Sequence, residues 1–498
     1  NFELIKDTLF MRISAVSKRQ NGYLTVQDYG CTHPGNPYGV PNTSLQGDCI
    51  VGHEGGKNYS AGRLALRWLA SDSVEVNFAS DITEDNSEVA AKTLLGTAPV
   101  NTPNLGPVVW GTGAQYLPPN PFVNYAAYSD FIPTNYATGA GYNVHWDPST
   151  HTQVAGSNLN VDWTINDSLA FKSITAYRTF VSSFVDDGAT PASLGIGANT
   201  QRNREVSQEL RLTGKAGTFL DYTFGGYFFD ETTRYETHQI LNYVNFGFPY
   251  LFNFLGDDPV HSVSNAGYVN ASWHFTDRLT LDTGLRYTTE RKNYTYSRLN
   301  PDGTPNIILA ALNGEVGRYS GSKLDYRVNL NYRWNDELMT YASVSTGFRG
   351  GGVNPRPFDV KQVLPFGQEK LTAYEVGAKS DLLDRRLRLN VSLFENRYNN
   401  IQTTLLQCPN DPGPPCALPL NVGNANIKGA ELELEAHPTE HWSIDGSWSH
   451  LNFKYTSFSQ NVGIPAGASE PGLIKSKYSI GTQYELPLPN GASLVPRV

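Results

Sequence analysis

The sequence has no run of 18 or more apolar residues, the length a helix needs to cross a bilayer. Its richest segment, Leu241 to Leu255, is broken by Asn242, Asn245 and Asn253, which argues against a helical membrane protein. Basic charge is also scarce. There are 38 Lys+Arg against 47 Asp+Glu, a net charge of −9, with no sustained Lys/Arg run. A nucleic-acid binder needs a basic surface to meet phosphates, so nucleic acid is not an expected partner. No initiator Met, charged n-region or apolar h-region opens the chain, so a signal peptide is expected to be absent or already removed. No Gly-x-Ser-x-Gly elbow, His-Glu-x-x-His helix or P-loop occurs, so neither an enzyme nor a cofactor is expected.

What the sequence has in quantity is aromatic residues and glycine: 28 Tyr, 23 Phe, 8 Trp and 46 Gly, against 2 Met. That balance favours strands and turns, an all-β chain. Period-two alternation supports it most clearly from Leu324 to Trp334, where Leu324, Tyr326, Val328, Leu330, Tyr332 and Trp334 interleave with Asp325, Arg327, Asn329, Asn331 and Arg333. The pattern recurs at 63–68, 279–287 and 386–393.

The connections alternate between tight and long. Eight short ones carry turn residues: 71–73, 166–168, 215–217, 276–278, 335–337, 383–385, 438–440 and 489–491. Longer polar or Gly/Pro-rich connections lie near 28–58, 83–155, 183–200, 234–264, 294–320, 349–369, 399–421 and 456–471. This gives sixteen strands and the start of a seventeenth.

Strands with one apolar and one polar face, joined by short turns at one end and long loops at the other, form the pattern of a transmembrane antiparallel β-barrel in outer-membrane lipid. A soluble sandwich would have shorter strands and more even turns. An odd, open set of strands would leave unpaired edges in lipid. The segment is therefore expected to continue beyond Val498.

Several stretches resemble the TonB-dependent outer-membrane receptors, in particular the iron-complex receptor branch. They are Ser207 to Gly214 (SQELRLTG), Tyr341 to Asn354 (YASVSTGFRGGGVN), Tyr374 to Gln402 (YEVGAKSDLLDRRLRLNVSLFENRYNNIQ) and Asn424 to Glu435 (NANIKGAELELE), with Asp7 to Gln20 resembling the first barrel strand. The resemblance implies a twenty-two-stranded barrel in a Gram-negative outer membrane, a plug domain inside it and a short box that binds TonB. Neither plug nor box is visible, so residues 1–498 are expected to be an incomplete barrel domain of a monomer. The implied activity is TonB-dependent uptake of a scarce ligand, foremost a ferric siderophore. Glycans, cobalamin or a passive nutrient porin are the alternatives.

The four cysteines form two local pairs in Gly/Pro/Asn-rich segments, Cys31 with Cys49 and Cys408 with Cys416, expected as loop-closing disulfides in an oxidising compartment. His33 and His53 beside the first pair give a composition compatible with zinc, but the spacing fits no standard module, so no metal is expected. Gly350-Gly351-Gly352 lacks the following Lys-Ser/Thr of a nucleotide loop. It suits a sharp bend flanked by Arg349, Asn354 and Arg356, candidate contacts for an anionic ligand, with solvated loop charge as the plainer alternative. Loop 83–155 places Trp110, Tyr116, Phe122, Tyr125, Tyr128 and Trp146 among Pro, Asn and Gly, and loop 234–264 adds Tyr243, Phe246, Phe248, Tyr250, Phe252 and Phe254. Such aromatics offer stacking area to a ligand, or pack the loops together.

Overall fold

A computed structural model describes residues 1–37, 42, 44, 47–96, 114–126, 149–186, 195–242, 251–405, 416–458 and 472–498. Its framework is an antiparallel meander of sixteen strands of nine or more residues. In chain order these are β1 (Leu9–Gln20), β2 (Lys57–Ser71), β3 (Val74–Asp85), β4 (Ser149–Asn166), β5 (Leu169–Asp186), β6 (Gly195–Ala216), β7 (Leu220–Asn242) and β8 (Leu251–His274). They continue as β9 (Leu279–Thr295), β10 (Val316–Arg333), β11 (Leu338–Arg349), β12 (Glu369–Leu382), β13 (Leu387–Leu405), β14 (Leu418–Thr439), β15 (Trp442–Phe458) and β16 (Ser476–Tyr484). Each pairs with the next in sequence. Short Phe2–Ile5 lies on the outer side of β1. Arg497, beyond β16, forms an antiparallel bridge with Gln483 of β16, at the place expected for the start of a seventeenth strand. Among the described residues, no ladder joins the first strand of the meander to the last.

All eight short connections fall between paired strands. The turn after β12 carries positive φ at three successive non-glycine residues, Leu383, Asp384 and Arg385. Register transmits the alternation from strand to strand: Leu285 faces Tyr326, Thr283 faces Val328 and Leu281 faces Leu330, while Arg286 faces Asp325 and Asp282 faces Asn329. One face is therefore mainly apolar yet exposed, with Leu324 at 54% and Leu330 at 43%. The other is a polar lattice in which the Asp282 carboxylate accepts from Ser272 Oγ at 2.7 Å, Asn331 Nδ2 at 2.9 Å and Asn329 Nδ2 at 3.1 Å. In water that arrangement would be inside out; in lipid it sets the apolar side chains against hydrocarbon and turns the polar lattice away from it.

Aromatics mark the two limits of the apolar face. Exposed Trp68, Trp163, Phe219, Phe275, Trp334 and Trp442 line the turn end. Exposed Tyr177, Phe228, Tyr287, Tyr326 and Tyr374 sit seven or eight residues further along their strands. At ~3.4 Å per residue and a ~40° tilt that interval rises ~20 Å, close to the apolar band of an outer-membrane barrel. Among the described residues no helix is long and apolar enough to cross a membrane; the crossing elements are strands.

Two expectations need correction. The connection at 234–264 is largely strand: β7 and β8 run 23 and 24 residues and stay in register up to Asn242 opposite Leu251. Apolar alternation stops at the membrane boundary, but the ladder continues because inner-face Thr237 and Tyr235 both donate to Asn199 Oδ1 at 2.8 Å. Connection 83–155, which lacks periodicity, nevertheless contributes the strand Val123–Tyr125, too short for a periodic signal.

Candidate ligand-facing loop site

Two small cores stand on the long-loop side of the barrel. The first is built from the connections flanking β2 and β3. Leu24–Gln27 pairs antiparallel with Ile50–Glu54 and parallel with Val123–Tyr125. Asp28 caps the single helical turn Tyr29–Thr32, its Oδ1 accepting from Cys31 N at 2.8 Å. Cys31 is disulfide-bonded to Cys49, across the hairpin that this turn interrupts. Tyr29 gathers three rings: His33 stacked at 4.2 Å, and Tyr116 and Tyr125 edge-on at 5.0 and 5.1 Å. Leu24, Val26 and Ala126 complete the cluster. Burial raises the Tyr125 hydroxyl above its ordinary pKa.

The second core comprises Phe254, Tyr296, Leu309, Leu312 and Phe358, from β8 and the segments after β9 and β11. Inside it Arg298 Nη1 meets Asp258 Oδ1 at 2.6 Å, both side chains under a tenth exposed. The guanidinium also lies 5.6 Å from the Phe254 ring centroid and 6.0 Å from that of Tyr296. Burial raises the Asp258 carboxyl above the usual range, against the attraction of Arg298. The same burial raises the Tyr296 phenol.

Tyr296 OH donates to Asn354 O at 2.7 Å and so ties this core to the glycine segment. Gly350–Gly352 lies flat against the inner wall: Lys292 Nζ donates to Gly351 O, and Gln402 Nε2 to Gly350 O, both at 2.9 Å. A Cβ on Gly351 would fall 2.3 Å from Phe366 O and 2.4 Å from the Tyr319 ring. Glycine is required here by close approach, since the chain lies where a side chain would have to be.

The proposed contact residues thus separate into groups. Tyr116 and Tyr125 are 2% and 5% exposed and pack the first core, the plainer of the two roles open to loop aromatics. Asn354 is fully buried; its Nδ2 donates to Gln362 O at 3.1 Å and its Oδ1 accepts from Arg356 N at 3.1 Å, so it shapes the loop from within. Phe254 likewise packs a core. Arg349 and Arg356 are exposed beside the glycine segment. Arg356 is near enough to Tyr235 to oppose the rise that burial imposes on that phenol. Trp110, Tyr128, Trp146, Cys408 and the aromatics 243–250 lie outside the described residues, as does the side chain of Phe252. Cys416 is disulfide-bonded. Among the described residues no group of three or more His, Cys, Asp or Glu side chains is placed to hold a metal ion.

Sequence reasoning missed the inner polar ladder: Asn203 Nδ2 donates to Glu231 Oε1 at 2.7 Å and to Thr233 Oγ1 at 2.9 Å, just below Asn199, Tyr235 and Thr237. Its signal was present as polar residues at every second position of 199–203 and 231–237.

Open apolar face, polar interior, aromatic girdles and asymmetric connections define a transmembrane β-barrel of the bacterial outer membrane. More narrowly, the chain belongs to the TonB dependent receptor-like β-barrel family, whose model matches residues 86–494. This is a family of Gram-negative transport receptors. The pesticin receptor of Yersinia pestis is 26% identical over 339 residues, covering 65% of this chain and 45% of that protein. The ferric-pyoverdine 358 receptor of Pseudomonas putida is 25% identical over 340 residues, covering 65% and 38%. The match therefore spans less than half the length of either relative. In fold, the chain is similar to the ferric yersiniabactin uptake receptor FyuA from Yersinia pestis, with a TM-score of 0.69 at 18% identity over 99% of this chain and 64% of that one. It is also similar to the siderophore receptor PiuA from Acinetobacter baumannii, with a TM-score of 0.61 at 13% identity over 96% and 66%.

Proposed function

We propose that this chain is the barrel part of a receptor that takes up an iron–siderophore complex across the outer membrane, driven through TonB. The observation that carries the reading is the pair of ordered loop cores and the inlaid glycine segment over a polar interior, in a chain of this family. A simple diffusion pore has no need of so constructed an entrance. The names of the relatives, a pesticin receptor and a ferric-pyoverdine receptor among them, favour an iron complex over a glycan or cobalamin. Residues 1–498 act as one barrel domain in this reading, with further strands closing the edges at Phe2–Ile5 and beyond β16, a plug inside, and a short TonB-binding box before the plug. Exposed Arg349 and Arg356, with Trp110, Tyr128 and Trp146, are the proposed ligand contacts; Tyr116, Tyr125 and Asn354 support them by holding the loops.

The test is uptake of radiolabelled ferric siderophores by a strain lacking the full gene, complemented with wild type or with R349Q/R356Q. The reading expects an iron-limited growth defect, restored by wild type and abolished by dissipating the proton-motive force. The double variant should bind ligand about tenfold less tightly, two charge-assisted contacts being lost. Uptake that persists without proton-motive force would point instead to a passive pore.

A further inference from the structure

On the outward face, above the girdle, two arginines sit on adjacent strands, and in the described ladders no carboxylate faces either of them. Arg291 on β9 faces Ser320 on β10, and Arg318 on β10 faces Asn293 on β9. The arginines are therefore diagonal neighbours on adjacent strands, with Cβ atoms ~7–8 Å apart. Their parity is that of Leu285, Tyr287 and Leu324, each about half exposed to the outside. The opposite parity, Lys292 and Tyr319, turns inward to the glycine segment. Both arginines are exposed, and among the described residues neither makes an ion pair. Elsewhere on the same rim two outward arginines have acidic partners: Arg202 Nε meets Glu236 Oε2 at 3.1 Å, and Arg234 meets Asp257. Like charges held this close on adjacent strands repel, and an anion between them relieves the repulsion.

The height of the pair identifies that anion's source. Arg291 lies four residues beyond Tyr287, ~13 Å along the strand and ~10 Å above the girdle at a ~40° tilt. The headgroup layer begins just above the apolar core, and arginine stems bend along the wall to reach it. We propose that Arg291 and Arg318, with the Ser320 hydroxyl and the Asn293 amide between them, form an outward clamp for the phosphate of an outer-leaflet lipid headgroup. Two guanidinium forks approach one phosphate from adjacent strands, giving bidentate, charge-assisted contacts that a single arginine cannot supply. The clamp anchors the loop-bearing half of β9 and β10, whose inner faces carry Lys292 and Tyr319 against the glycine segment. It depends on the membrane placement of the barrel and not on which ligand is transported.

The experiment uses the full protein in detergent micelles, titrated with short-chain phosphatidic acid and followed by native mass spectrometry. Diacylglycerol of the same chain length and inorganic phosphate are the comparison probes. The proposal expects saturable phosphatidic acid binding that R291Q/R318Q weakens about tenfold or more, that R202Q leaves within about twofold, and that diacylglycerol does not reproduce. Equal binding by wild type and R291Q/R318Q would overturn it. So would inorganic phosphate binding as tightly as the lipid, which would make the pair a site for a free anion. Heat-modifiable gel migration establishes that each variant barrel is folded before the comparison is made.

Discussion

The two loop cores solve one problem by different means. Each buries about half a dozen side chains, too few to stand alone against the chain entropy of long connections. The first, around Tyr29, is closed by a covalent link between Cys31 and Cys49, eighteen residues apart. The second, around Tyr296, contains no cysteine and is held by the buried Arg298–Asp258 pair, whose partners are forty residues apart. A disulfide acts chiefly on the open state, by shortening its loop. A buried ion pair acts on the closed state, and only while both partners are present. The first core should therefore loosen when cut, and the second should fail when one charge is deleted.

The largest effect is expected from Asp258→Ala, which leaves the Arg298 guanidinium buried without a counter-ion. The local cost is about 3–5 kcal/mol. Hydrogen exchange across 296–312 should speed up strongly, while exchange in the first core is unchanged. Protection that survives would mean the pair does not hold this core.

Next is C31S/C49S. Opening a loop of this size should cost about 3 kcal/mol, confined to 24–54 and 114–126. Limited proteolysis in those segments should accelerate, with the second core as internal reference. Gly351→Ala should cost about 1–3 kcal/mol, because its methyl meets Phe366 O and the Tyr319 ring. Gly347→Ala, with nothing within 4 Å, should be nearly neutral. Equal melting shifts for the two variants would refute the close-packed account of the glycine segment.

The smallest effect is that of pH. Burial raises the folded-state pKa of Asp258 above its unfolded value, so the folded core binds the proton more readily. That contribution is fully present below the unfolded pKa of about 3.9 and is lost as pH rises through the folded value. Exchange protection in the second core, corrected for intrinsic rates, should thus be modestly greater near the unfolded pKa than at neutral pH. The disulfide-closed core should show no matching change.

Much of the barrel was legible in the sequence. Leu324 to Trp334 announces a two-faced strand because side chains alternate with period two whatever the strand pairs with. The turn at Asn335-Asp336-Glu337 is local chemistry: Asn335 Oδ1 accepts from Glu337 N at 2.9 Å and Leu338 N at 2.8 Å. The candidate site was less legible. Arg349 and Arg356 lie on the exposed side of the glycine segment, whereas Asn354, five residues from the first and two from the second, is wholly buried. No periodicity distinguishes them, since an irregular segment has no repeating face. The aromatics of 83–155 carried the same ambiguity, and Tyr116 and Tyr125 are resolved as packing only by their contacts with Tyr29.

By itself, then, the sequence determined the two-faced strands, their turns and hence a barrel that puts apolar side chains outward, because each of these depends on neighbours along the chain or on the solvent. Tertiary structure alone decided that Asp258 meets Arg298, that Tyr116 reaches Tyr29, and that Arg291 comes to rest beside Arg318. Those pairings depend on strand register and loop closure, which bring together residues too far apart in the chain for any local pattern to encode.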